Sequence, residues 1–224
     1  LAFAGGAQAV TLPGLLDGDT LTVGDKLFDE GEVIFQETSE TIDAPVYANI
    51  DVDPLDDGGD YGIDIVMNGE MNVTGDGIYA FSNLELSFRV SVLDPDKLIK
   101  DNYLALAGGL SAGGAGYDDT GMAIDEYVGT SPGDLDLVDD KYVEFSIFGD
   151  DAPFLINDVT RDFAPQSEIW VTKNILVWAT SPDETASLAS VTQRFSQTAI
   201  PEPATALLFG LGLAGAGLAR RRRG

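Results

Sequence analysis

Apolar and polar residues alternate with a period of two along most of this chain. Residues 84–92 are the clearest case, with Leu84, Leu86, Phe88, Val90 and Val92 on one side and Glu85, Ser87, Arg89 and Ser91 on the other. That period predicts a strand with one face on a core and one face in water. Comparable runs occupy 31–37, 46–52, 61–67, 77–82, 122–128, 142–148, 168–179 and 187–196, separated by clusters of Gly, Asp, Pro and Asn. About nine strands in one stretch predict an all-β, antiparallel β-sandwich spanning residues 10–199. Residues 97–106 fit a strand or a short helix equally well. The glycine-rich stretch 108–116 reads as a loop between strands; it lacks the strand-to-helix setting and the Lys-Ser/Thr ending of a phosphate-binding loop.

The pattern changes at both ends. Residues 204–219 carry no charge, and Arg220, Arg221, Arg222 and Arg223 follow at once. A helix over these 16 residues reaches roughly 24 Å at 1.5 Å per residue, somewhat less than a hydrocarbon core of about 30 Å. We expect a single C-terminal transmembrane helix that spans with local thinning, its arginines held on the cytoplasmic side. At the other end, Ala7 and Ala9 form the small-x-small pattern of a signal-peptidase site. Residues 1–9 then read as the end of a signal peptide cut after Ala9, and the body between the two ends lies outside the cytoplasm.

Charge and composition narrow the chemistry. Thirty-eight acidic against 12 basic residues give a net charge of −26, which opposes binding to nucleic acid. With neither Cys nor His, the chain has no thiol nucleophile, no Ser-His-Asp relay and no zinc site built on those ligands. A pair of carboxylates remains a possible basis for glycoside hydrolysis, but the sequence does not single one out. The densest acidic run, Asp51, Asp53, Asp56, Asp57 and Asp60 with two glycines between, is a candidate Ca²⁺ site, the alternative being a solvated hairpin turn. Trp170 and Trp178 stand eight apart on one predicted strand and so on one side, either stacking on sugar rings or filling the core.

Pro201, Glu202 and Pro203 immediately precede the apolar run. Two prolines around one residue hold the backbone extended and remove two amide donors, keeping this segment out of helix and sheet alike. The order Pro-Glu-Pro, glycine-rich apolar helix, arginine cluster over 201–223 resembles the PEP-CTERM sorting signal of Gram-negative bacteria. The resemblance implies an inner-membrane anchor over 204–219, recognition by an exosortase, and release or attachment at the cell surface, with residues 200–224 as the sorting unit. Three further stretches look like those of exported proteins with this layout: Gly24 to Phe28, Ile169 to Ile175 and Gln193 to Gln197. On this basis we expect a structural or adhesive component of the surface or the extracellular polysaccharide matrix, the alternative being a carbohydrate-binding module or a carboxylate-based hydrolase.

Overall fold

A computed structural model describes residues 9–112, 119–149 and 151–200. The chain enters through β1 (Val10–Thr11) and the five-residue helix α1 (Leu12–Leu16), then β2 (Leu21–Val23) and β3 (Lys26–Thr38). After a 3-10 turn at Tyr47–Asn49 come β4 (Asp51–Asp57), β5 (Asp60–Val66) and β6 (Asn72–Thr74). The long strands β7 (Ala80–Val92), β8 (Lys97–Ala112), β9 (Asp119–Gly129) and β10 (Val138–Phe148) follow. The chain closes with β11 (Phe154–Ile156), β12 (Asp158–Gln166), β13 (Glu168–Ala179), β14 (Glu184–Phe195) and β15 (Gln197–Ala199).

These fifteen strands form two antiparallel sheets rather than the nine expected. Sheet A runs β1-β4-β5-β14-β8-β12, with β6 beside β14 and β15 beside β8. Sheet B runs β11-β10-β9-β13-β7-β3-β2. Element boundaries also differ from those expected in several places. The runs at 77–82 and 84–92 converge on one strand, β7, that begins at Ala80. The run at 46–52 starts as a 3-10 turn and becomes strand only from Asp51. Residues 97–106 resolve as strand, and β8 continues through Gly108 and Gly109 to Ala112, where a loop was expected; residues 113–116 lie outside the described residues. A side chain at Gly108 would place its Cβ 2.4 Å from Met122 Sδ and 2.5 Å from Ser187 O, so only glycine lets β8 pass there.

One continuous apolar core fills the space between the sheets, with Phe28, Phe88 and Phe195 at its centre. The Phe28 ring lies 6.3 Å from that of Phe88 and 6.0 Å from that of Phe195, joining the two sheets. Two segments distant in sequence meet here: Lys26, fully buried, donates to Asp25 Oδ1 at 2.7 Å and to Gln197 Oε1 at 2.8 Å. The last described residues are held against sheet A. Gln197–Ala199 pairs with β8, and Ile200 N donates to Asp96 O at 2.8 Å. Among the described residues no helix is long and apolar enough to cross a membrane. The expected transmembrane helix over 204–219, the sorting residues Pro201 to Pro203 and Arg220 to Arg223, and Ala7 lie outside the described residues; Ala9 is exposed.

The core also holds charge. Burial pushes the ammonium groups of Lys26 and Lys173 below the ordinary lysine value of 10.5, Lys26 being partly compensated by Asp25. Below 10.5 and above their depressed values, the unfolded chain holds protons that the folded chain does not. Raising the pH across that window therefore stabilises the fold. We expect the urea midpoint to climb between pH 7 and 9.5; a midpoint that falls over that interval contradicts the burial of these amines.

Candidate ligand-binding face

Alternation along β13 sends Ile169, Val171, Lys173, Ile175, Val177 and Ala179 into the core. Trp170, Thr172, Asn174, Leu176 and Trp178 therefore stand on the outer face of sheet B. The two tryptophans share a side as expected, but that side is not the core. In register with Asn174 are Glu85 of β7 and Asp125 of β9, and beyond these Phe35 of β3 and Tyr142 of β10. One row across five strands thus reads Phe35, Glu85, Asn174, Asp125, Tyr142. The neighbouring row carries Asn83, Leu176, Ala123 and Glu144.

Small residues on β9 shape this face. A Cβ at Gly121 would sit 2.6 Å from Trp178 Cζ2 and 2.7 Å from Ser146 Cβ, so glycine is what lets the indole lie down against the sheet. Trp178 is consequently buried although it faces outward, and its Nε1 donates to Asp119 Oδ1 at 2.6 Å. Trp170 and Tyr127 remain half-exposed. Next to Ala123, Glu144 accepts from both Tyr142 Oη and Ser146 Oγ. Burial first and this carboxylate second raise the Tyr142 hydroxyl above its ordinary value, so it stays a donor at any physiological pH.

Two acceptors on the same face lack donors. The side-chain oxygens of Asn83 and Asn174 are buried and make no hydrogen bond. A buried polar atom left unpaired costs roughly 1–3 kcal/mol. The outer face of sheet B therefore combines half-buried aromatic rings, flanking carboxylates and two carboxamides.

The acidic run behaves differently. Its strand conformation sends Asp51, Asp53 and Asp57 to one side of β4 and Asp56 to the other, while Asp60 opens β5 opposite Asp57. Asp51 Oδ2 accepts from Asn68 Nδ2 at 2.8 Å, Asp56 Oδ1 caps the hairpin at Gly59 N at 3.1 Å, and Asp57 pairs with Arg194. Gly58 and Gly59 take positive φ angles of 68° and 105° to make that turn. Among the described residues no group of three or more Asp, Glu, His or Cys side chains is placed to hold a metal ion. Of the five carboxylates in the candidate Ca²⁺ run, Asp51, Asp56 and Asp57 thus hold separate partners.

A second concavity, a cleft of about 640 Å³, opens between the loops that precede the 3-10 turn and those flanking β6. Thr41, Asp43, Glu70 and Asp76 line it. Its acids serve the loops themselves: Glu70 accepts from Val46 N at 2.7 Å and Asn49 Nδ2 at 2.6 Å, which lowers its carboxyl below the ordinary value. Asp76 caps Ile78 N and Tyr79 N at 2.9 and 3.0 Å.

Comparison with known proteins bears on the end of the chain. Residues 199–223 match the family model of the PEP-CTERM protein-sorting motif. The chain carries a PEP-CTERM sorting motif. This motif implies an exported protein sorted by an exosortase. No curated protein matches the chain. Solved structures with a remote likeness include a carbohydrate-binding module described for specific mannan recognition, at 9% identity and a TM-score of 0.28 over 85% of this chain and 96% of that one. The enzymatically active domain of tailspike protein 4 from bacteriophage CBA120 is similar at 8% identity and a TM-score of 0.25, over 84% of this chain and 20% of that one. A family two carbohydrate esterase from Cellvibrio japonicus is similar at 11% identity and a TM-score of 0.21, over 77% and 36%. Likenesses this remote carry no functional inference.

The packing of Trp178 over Gly121 gives a direct check. Gly121→Val should lift the indole off the sheet, shift tryptophan emission to the red and destabilise the fold by about 1–3 kcal/mol. Unchanged emission with unchanged stability contradicts the described packing.

Proposed function

We propose that this PEP-CTERM protein is a non-enzymatic adhesive component of the cell surface that holds extracellular polysaccharide on the outer face of sheet B. The observation that carries this reading is the outer row of sheet B that sets half-buried Asn174 in register with Glu85 and Asp125, on the face that also carries half-buried Trp170 and Tyr127. Sugars offer what such a face lacks, namely hydroxyl donors next to apolar ring faces that stack on aromatic side chains. The high negative charge favours a neutral glycan over a polyanionic one. Glu144, with both oxygens engaged by Tyr142 and Ser146, acts as a fixed acceptor that orients Tyr142 rather than as an acid or base.

The test is affinity electrophoresis of the full chain in detergent through gels containing soluble polysaccharides. A neutral glycan should retard the protein without being degraded. Trp170→Ala and Asn174→Ala should each weaken retardation about tenfold or more, equivalent to about 1.4 kcal/mol, with unfolding unchanged. Degradation products abolished by one Asp or Glu substitution argue for a hydrolase instead, and retardation indifferent to both substitutions removes this face from the proposal.

Sorting has its own measurement. The intact mass of the protein recovered from the extracellular fraction should correspond to a chain that begins at Val10 and ends near Pro201, Glu202 and Pro203. Retention of residues 204–223 in the membrane fraction argues for permanent anchoring.

A further inference from the structure

Glu126 of β9, Lys141 of β10 and Lys173 of β13 are direct register neighbours on the core side of sheet B, and all three are fully buried. From sheet A, Asn102 of β8 and Gln193 of β14, also fully buried, close over them. One carboxylate therefore faces two amines and two carboxamides in a space that excludes water. Glu126 Oε1 lies 2.8 Å from Lys141 Nζ and 2.7 Å from Asn102 Nδ2. Lys141 Nζ is in contact with Asn102 Oδ1 and lies 3.1 Å from the Asn102 carbonyl oxygen. An amine, a carboxamide and a carboxylate able to pass a proton between their two nitrogens thus meet at one point.

We propose that Lys141 and Asn102 join in an intramolecular amide bond, formed by the folded protein itself with Glu126 as the proton carrier. The Lys141 Nζ lone pair attacks Asn102 Cγ, forming the Cγ–Nζ bond and a tetrahedral centre. Glu126 Oε1 takes a proton from Nζ and delivers it to Nδ2. The Cγ–Nδ2 bond then breaks and ammonia leaves. Amine plus carboxamide gives substituted amide plus ammonia, with no change in oxidation state and no further reactant.

Three conditions favour the step. Burial, before all else, pushes the Lys141 amine down to about 6, so it is the neutral nucleophile at physiological pH. Fixed contact replaces a bimolecular encounter, and well-oriented groups reach effective molarities of about 10⁵ M and above. Exclusion of water removes the competing hydrolysis. The second pair is less well arranged. Lys173 Nζ contacts Glu126 through Oε2 and Gln193 through Oε1, while Gln193 Nε2 stands 3.4 Å from Glu126 Oε1. A proton leaving Lys173 would have to cross from one carboxylate oxygen to the other, and Lys173 is instead the positioning residue that fixes Glu126.

Mass spectrometry of the full chain, purified folded and then denatured, reads the bond directly. We expect a mass about 17 Da below that of the sequence, the loss of one ammonia. No Lys or Arg lies between Asp101 and Lys141, and the next is Arg161. An acylated Lys141 is not cut by trypsin, so residues 101–161 should emerge as one peptide carrying the deficit. A second digestion on the N-terminal side of aspartates should give a branched peptide joining Asn102 to Lys141. Glu126→Gln and Lys141→Arg should both restore the full mass. Full mass in the folded wild-type protein overturns the proposal whether or not either variant folds, and a branch joining Lys173 to Gln193 overturns the assignment.

Discussion

The structure depends on satisfying a carboxylate in the middle of an apolar sandwich. An isolated ion at Glu126 would be prohibitively costly, so the strands on either side must each deliver a donor to the same level of the core. Lys141 and Lys173 do so from β10 and β13, and Asn102 and Gln193 approach from the opposite sheet. A slip of β9 by one residue would turn Glu126 outward and leave two buried amines without their carboxylate. The cluster thereby specifies the register of three neighbouring strands in sheet B and the distance between the two sheets, which apolar contacts alone tolerate in several versions.

Around that fixed level the two faces of sheet B have separate tasks. The inner face of β13 carries Lys173 among aliphatic residues, and the outer face carries Trp170, Thr172, Asn174, Leu176 and Trp178. Because the backbone is locked from inside, the outer row from Phe35 to Tyr142 is presented on a rigid sheet rather than on loops. A rigid sheet suits a ligand that is long, repetitive and weakly held at each unit. The sorting motif marks the chain for export, and the proposed polysaccharide ligand is a polymer of that kind.

Much of the fold was legible because most strands bury one face, and period-two alternation reports that directly. Strands β7, β9 and β14 are examples. Legibility failed where polar residues face the core: Asn102 on β8 and Lys141 on β10 interrupt the apolar pattern for reasons of partnership across the sheets. It failed again at β4, whose aspartates and Pro54 read as a turn, and at β12, an edge strand that tolerates Pro165. The short strands β1, β2, β6, β11 and β15 are too brief to show a period. As for the face itself, β13 has apolar residues on both sides, so alternation left its orientation open. Lys173 pointed the wrong way, since a lysine ordinarily marks the solvent side. The unpaired side-chain oxygens of Asn83 and Asn174 have no signature in sequence at all.

The attachment of the C-terminal segment sets how the molecule bears a pull. Residues 197–199 form hydrogen bonds with β8, and just upstream Ser196 is fastened through its backbone and hydroxyl to Asp101, the neighbour of Asn102. Tension arriving from the tail must first peel β15 from β8 and then draw on Asp101, next to the buried cluster that spans the two sheets. A pull applied at Ile200 thus falls on the strand that also contributes to the interior, and it is carried through the middle of the domain instead of along its rim.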